Sequence, residues 1–268
     1  MTITPPADQD PVIYRHRELE QIAIASLGCA RVLMETGSRV KVAQECCRLL
    51  AIGLDAEMSG IRVGYASIAL TLGSGANTIT RMVTVNRHGV DYRLNQAVRD
   101  LVVTASANGL QPAEITARLD ATVAGSKRHP LWFVVVAVGL ACAAFGGLLG
   151  IDPGAFGPVF LAGALGQFVR HRMLAGDINP YVATVATAFV ASVTCGVGAR
   201  MAGSGTVDVA MIAATLMLVP GVAATNAQAD VLDGLPTLCS ARAISVFMTM
   251  LFAATGIFVA QAVLGLHP

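Results

Sequence analysis

Residues 131–151, LWFVVVAVGLACAAFGGLLGI, run for 21 positions without a charge. A helix needs about 20 predominantly apolar residues to cross the hydrocarbon core of a bilayer, so this run reads as a transmembrane span. Four more charge-free stretches follow it, at 153–169, 178–199, 209–229 and 243–266. Turn and breaker residues separate them: Asp152-Pro153, Gly176-Asp177, Gly203-Ser204-Gly205 and Asp233-Gly234-Leu235-Pro236. Upstream the chain has a different character. Residues 1–130 hold 14 Lys/Arg and 12 Asp/Glu, whereas residues 131–268 hold 4 and 5. The whole chain is 54% hydrophobic and 13% charged, with a mean hydropathy of +0.65, against about 25% charge in ordinary soluble domains. The pattern predicts an α-helical integral membrane protein of about five transmembrane helices with an N-terminal α+β cytosolic domain. We expect a disordered tail over 1–14, the cytosolic domain over 15–128 and the transmembrane domain over 130–268.

Orientation follows from the basic residues. With the N-terminal half in the cytoplasm, Lys127, Arg128, Arg170, Arg172 and Arg242 fall inside and only Arg200 outside, in keeping with the positive-inside rule. Arg128, Arg170, Arg172 and Arg242 are the expected topology anchors, and five spans put the C-terminus in the periplasm. The start, MTITPPADQD, has neither a basic nor an apolar signal region and reads as a cytosolic tail. A net charge of +1 without a basic stripe implies no nucleic-acid partner. The six cysteines, Cys29, Cys46, Cys47, Cys142, Cys195 and Cys239, form no CxxC pair and read as small buried hydrophobes, so neither metal nor cofactor is expected.

In the soluble half, residues 15–36 carry helical apolar spacing at Leu19, Ile22, Leu27, Ala30 and Leu33, Gly37 stops that helix, and Ser38 is placed to cap the next, which runs from Val40 to Gly53. Alternation at Ile68, Leu70 and Leu72, and again over Ile79–Val85, predicts two strands, with a turn at residues 86–89. Two further helices follow, one through Leu94–Ala105 ending at Asn108-Gly109 and one opened by Pro112. The domain contains no GxSxG, HExxH or P-loop, and Gly73-Ser74-Gly75 reads as a turn between strands. His88 with Asp91 reads as a solvated loop rather than a site. We expect no enzyme.

The stretch 217–230, MLVPGVAATNAQAD, carries the sharpest functional signal. Pro220 lacks an N–H and clashes with the carbonyl four residues back, and Gly221 adds slack, so the span should break there. Freed backbone inside a membrane is tolerated only where protein or a water-filled cavity satisfies it, and transporters place substrate and ion sites at such breaks. Asn226 and Asp230, four apart, share one face beyond the break. Asp230 reads either as a proton or cation carrier or as a solvated end residue. The spans are also rich in small residues. These fall at Gly139, Ala143 and Gly147 in the first span and along two stripes of the third, Ala183–Thr187–Ala191–Cys195–Ala199 and Thr184–Ala188–Ser192–Gly196. Such faces allow close helix packing, and the Thr184–Ser192 face can alternatively line a polar path.

Taken in order, these motifs resemble the threonine/serine exporter family, specifically its shorter, split members that carry only the N-terminal half of the architecture. The residues that carry the resemblance begin with Gly28, Leu33, Gly37, Arg48-Leu49-Leu50, Gly53-Leu54-Asp55 and Arg87…Gly89 with Leu94. They continue with Gly139-Leu140…Cys142-Ala143, Phe168-Val169-Arg170 and Leu218-Val219-Pro220-Gly221…Asn226…Asp230. Two positions depart from the pattern: Ala223, where a second proline often stands, and Ser38-Arg39, where an acidic residue is expected. The resemblance implies a multi-pass subunit of a secondary exporter in the bacterial inner membrane, carrying a small polar substrate, threonine/serine or a dicarboxylate such as succinate. It also implies a second membrane subunit bearing the C-terminal-half spans, with a homo-oligomer as an alternative. The expected site residues are Pro220, Gly221, Asn226, Asp230, Thr184 and Ser192. A membrane-anchored hydrolase and a non-transporting regulatory subunit are the rival readings.

Overall fold

The computed structural model describes residues 15–86, 89–126 and 129–266. The expected tail 1–14, His88 in its turn, the anchor Arg128 and the final two residues lie outside the described residues. The chain divides into two compact units. One comprises the chain up to Lys127 together with Thr225–Ala241, and the other Arg128–Ala224 with Arg242–Pro268.

The first unit is built from α1 (His16–Glu35), α2 (Val40–Gly53), β1 (Glu57–Val63), β2 (Ser67–Ser74), β3 (Asn77–Thr84), α3 (Tyr92–Asn108) and α4 (Pro112–Gly125). The strands form an antiparallel meander in the order β1-β2-β3, with Ile61 opposite Leu70 and Leu72 opposite Ile79. Ile68, Leu70 and Leu72 all point to one face, as period-2 alternation requires, and α1 packs on β2 and β3 there. Leu19, Ile22, Leu33, Val40, Leu50, Val98 and Ile115 complete this core. The β2–β3 turn is Gly75-Ala76, closed by the Ser74–Asn77 pair, with Gly75 at φ 59°; Gly73 and Ser74, expected in the turn, belong to β2 instead.

Two details differ from the sequence expectation. β1 is an additional strand: it is an edge strand with a register shift between Met58 and Gly60, and only Val63 is buried, so no clean alternation announces it. The N-cap of α2 is Arg39 rather than Ser38, whose hydroxyl is taken up by α3 instead.

The second unit contains α5 (Leu131–Leu148), α6 (Pro153–Ala175), α7 (Pro180–Met201), α8 (Val207–Ala214), a 3-10 turn at Leu216–Leu218, the start of α9 (Gly221–Leu232) and most of α10 (Pro236–Val263). Among the described residues, α5, α7 and α10 are long and apolar enough to cross a membrane, and the bent pair α8–α9 is a fourth candidate. The 23-residue α6 is long enough, yet its Pro, Gly and Gln residues and its terminal arginines keep it out of that set. The small residues permit close approach: a Cβ on Gly139 would sit 2.7 Å from the Phe160 carbonyl, and one on Gly256 2.5 Å from that of Val185. The buried stripe of α5 is Gly139, Cys142, Ala143 and Gly146; Gly147 falls outside it, because strict steps of four drift off a 3.6-residue period.

The cysteines Cys29, Cys46, Cys47, Cys142 and Cys195 are buried free thiols. In the first unit, burial and the neighbouring Cys29 push the Cys47 thiol up to about 12. Cys46 is raised by its hydrogen bond to Cys29 and by burial. These thiols are held far from the reactive thiolate.

Candidate functional site

The break between α8 and α9 begins before Pro220. α8 closes at Thr215, whose hydroxyl and amide both return to the Ile212 carbonyl, at 2.8 and 3.1 Å. A single 3-10 turn follows, with Val219 N–H donating to Leu216 O at 3.0 Å. That bond occupies the carbonyl that Pro220 cannot serve. Val219 is extended (φ −70°, ψ 116°), the conformation a following proline imposes. Pro220 then opens α9, its carbonyl accepting from Ala224 N–H at 3.0 Å. The helices on either side are bent by 67°. A Cβ on Gly221 would meet nothing within 4 Å, so this glycine opens onto free space rather than a tight contact.

Beyond the break, α9 enters the first unit. Asn226 is buried and donates its amide to the Gly37 carbonyl at 3.0 Å. Gly37 follows α1 with φ 94°, a left-handed value that lets Ser38 N–H turn back to Leu33 O at 2.9 Å. Asp230, one turn further on, has 0% of its surface exposed. A carboxylate withdrawn from water is costly unless it is paired or neutralised, so the solvated-end reading of Asp230 does not describe this site. α9 ends at Gly234, φ 76°, where Leu235 N–H returns to Asp230 O at 2.8 Å. Leu235 and Leu238 join the core of the first unit, and Asp233 lies 3.7 Å from Lys41.

The Gly37 turn is the centre of a polar cluster that spacing did not reveal. Asn95 of α3 donates to Thr36 Oγ1 at 2.8 Å and Ser38 Oγ at 2.7 Å, and accepts from Arg99 Nε at 2.9 Å. Thr36 Oγ1 donates to Val32 O at 2.8 Å, and Asp91 N–H donates to Thr36 O at 3.2 Å. Thr36, Ser38, Asn95, Asn226 and Asp230 are all buried. Asp91 itself caps α3 through Leu94 N–H at 3.0 Å.

Thr184 and Ser192 lie in the second unit, both buried on α7. The Thr184 hydroxyl is committed to the Pro180 carbonyl at 2.8 Å. Of the expected anchors, Arg172 is exposed and stands over the Phe168 ring at 5.9 Å, Arg170 is half-buried, and Arg242 is buried rather than facing solvent.

The chain is similar to two curated proteins, both called "Probable succinate transporter subunit YjjP". The one from Klebsiella aerogenes is 29% identical over 255 residues, covering 92% of this chain and 96% of that protein. The one from Escherichia coli strain K12 is 27% identical over 244 residues, covering 89% and 93%. No solved structure matches the chain. The model of the ThrE family, described as "Putative threonine/serine exporter", matches residues 25–264, which takes in the polar cluster, the apolar helices and the bent α8–α9 pair. The chain belongs to the threonine/serine exporter family.

Proposed function

We propose that the chain is one subunit of a secondary exporter of the bacterial inner membrane, moving a small polar metabolite outward. The substrate is threonine/serine or a dicarboxylate such as succinate, the two classes suggested by the family description and by the relatives' names. One observation carries the mechanism: the fourth span is broken at Val219–Gly221, and the limb beyond the break brings Asn226 and the fully buried Asp230 into the unit that contains the sheet. Broken helices supply backbone ligands in transporters, and a buried acid near such a break is suited to carry a proton or cation. The soluble unit then acts as the gate, because the limb bearing Asp230 is packed into it. In this reading α5, α6, α7, the α8–α9 pair and α10 are five spans, the N-terminal domain is cytoplasmic and the C-terminus periplasmic. The "subunit" in the relatives' names supports a second membrane subunit that supplies the remaining spans.

The test is efflux from cells preloaded with labelled threonine or labelled succinate, with and without the chain, at matched loading. Faster release of one of them supports the reading. Equal release of both, with the protein present in the membrane, refutes it. Alkaline phosphatase fused at the C-terminus should be active; an active fluorescent-protein fusion with a silent phosphatase fusion rejects five spans.

A further inference from the structure

The spans carry hydroxyls of two kinds. Thr184, Thr249 and Thr255 donate to the carbonyl four residues back, at 2.8, 2.9 and 2.9 Å, the usual way an apolar helix satisfies a hydroxyl. Thr187 and Ser192 of α7 are 0% exposed, and among the described residues neither hydroxyl oxygen has a hydrogen-bond partner. A buried hydroxyl left unmade is a standing penalty, and each such group in a folded protein calls for an explanation.

Their position supplies one. The Thr187 methyl lies 3.5 Å from where a Cβ on Gly166 would sit, and Met217 Cε and Ala191 Cβ converge on the same point at 2.8 and 3.2 Å. Ala188, beside Thr187, packs with Leu218 and Ala253. Ser192 is one turn beyond Ala188 on the same face. Met217 and Leu218 form the last turn before Val219-Pro220, so the Thr187 methyl and Ala188 lie where α7 meets the turn ahead of the break. α7 carries no charge before Arg200, and the chain from Val209 to Ala229 carries none. The hydroxyls therefore act as neutral donors and acceptors in apolar surroundings, suited to the hydroxyl or carboxyl oxygens of a small metabolite.

We propose that Thr187 and Ser192 contact the transported metabolite, hydrogen-bonding its polar group as it passes the break. The proposal rests on the exporter reading and adds to it the residues that recognise the substrate. A site built from such hydroxyls discriminates against an analogue that lacks the matching group.

The test uses the full chain in cells, at matched membrane abundance, with Thr187→Val, Ser192→Ala, both together, Thr187→Ser and, as control, Thr249→Val. Efflux of labelled threonine and succinate is measured against internal load. Purified wild type and double variant are also melted in detergent with and without the exported metabolite. We expect the double variant to lose at least about tenfold in efflux at low load and to recover at high load, because one hydrogen-bonded recognition contact is worth roughly that factor. Its melting midpoint without metabolite should be unchanged or higher, and the rise that the metabolite gives wild type should vanish. Thr187→Ser and Thr249→Val should behave as wild type. Wild-type efflux and a full metabolite-induced rise in the double variant overturn the proposal, and so does a Thr187→Ser variant as impaired as Thr187→Val. Wild-type export with an unimpaired double variant removes this proposal alone. Export of neither metabolite by wild type removes the exporter reading and this proposal with it.

Discussion

Replacing Asn95 by alanine tests whether the Gly37 turn seats α9. An amide has two N–H donors, and here they serve Thr36 Oγ1 at 2.8 Å and Ser38 Oγ at 2.7 Å; a third contact, 3.4 Å to Leu33 O, is at the limit of a hydrogen bond. After truncation Thr36 still donates to its own helix, so losing that contact costs about 1 kcal/mol. Ser38 keeps only a 3.4 Å contact to Arg99 and is left stranded in a buried position, at a cost of about 1–3 kcal/mol. Together the change is about 2–4 kcal/mol, a factor of roughly 30 to 700 in the opening equilibrium. Hydrogen exchange followed by mass spectrometry on the full chain in detergent reads this locally. Exchange should accelerate over residues 30–40 and 89–96, where Ser38 and Asp91 N–H return to α1 and its turn. It should also accelerate over 225–235, because Asn226 is anchored to Gly37 O. Acceleration confined to the first two segments, with 225–235 unchanged, refutes the idea that this turn holds the far part of α9.

Two glycines should respond in opposite ways. Gly256→Ala forces a Cβ to 2.5 Å from the Val185 carbonyl and 2.7 Å from Ala188 Cβ, so the melting midpoint in detergent should fall, with a cost of about 1–3 kcal/mol or more. Gly221→Ala enters open space at the start of a helix and should leave the midpoint unchanged or raise stability by up to about 1 kcal/mol. Asp152 caps α6 and clasps the α7–α8 loop, accepting from Ser204 Oγ, Gly205 N–H and Ala155 N–H at 2.8, 2.8 and 3.0 Å. The Ser204 hydroxyl foremost, with the backbone amides, holds its carboxyl below the usual range. A lowered folded pKa contributes stability that is present above the unfolded value of about 3.9 and is lost as pH falls through the folded one. The melting midpoint of wild type should therefore drop more steeply below about pH 4 than that of Asp152→Asn; parallel curves contradict the clasp.

The helices of the first unit were legible because their faces and ends coincide with strong local signals: Leu19–Ile22 and Val98–Ala105 for spacing, Pro112 and Gly109 for punctuation. β1 was not, because Ser59, Gly60 and Arg62 on a bulged edge give no alternation. Pro220 marked the break, but not the 3-10 turn ahead of it, which depends on how Leu216 O is re-satisfied. The polar cluster was hidden for a different reason: Thr36, Ser38 and Asn95 are neutral, and Asn95 lies 59 and 57 positions from the other two, so only the tertiary fold joins them. Spacing placed Thr184 and Ser192 on one face of α7, yet could not say that Thr184 bonds back to its own helix while Thr187, on the adjoining stripe, does not. Nor could it separate a solvated Asp230 from a buried one, since that depends on how residues 225–241 pack into the first unit.

The central claim is that Asp230, buried on the far limb of a broken span, couples export to an ion. Asp230→Asn nearly preserves shape while removing the group that can ionise. At matched membrane abundance, efflux of the labelled substrate should be measured both against an outward-increasing gradient and as exchange between equal pools. The account predicts that the variant loses uphill efflux and retains exchange; uphill efflux at the wild-type rate would contradict it.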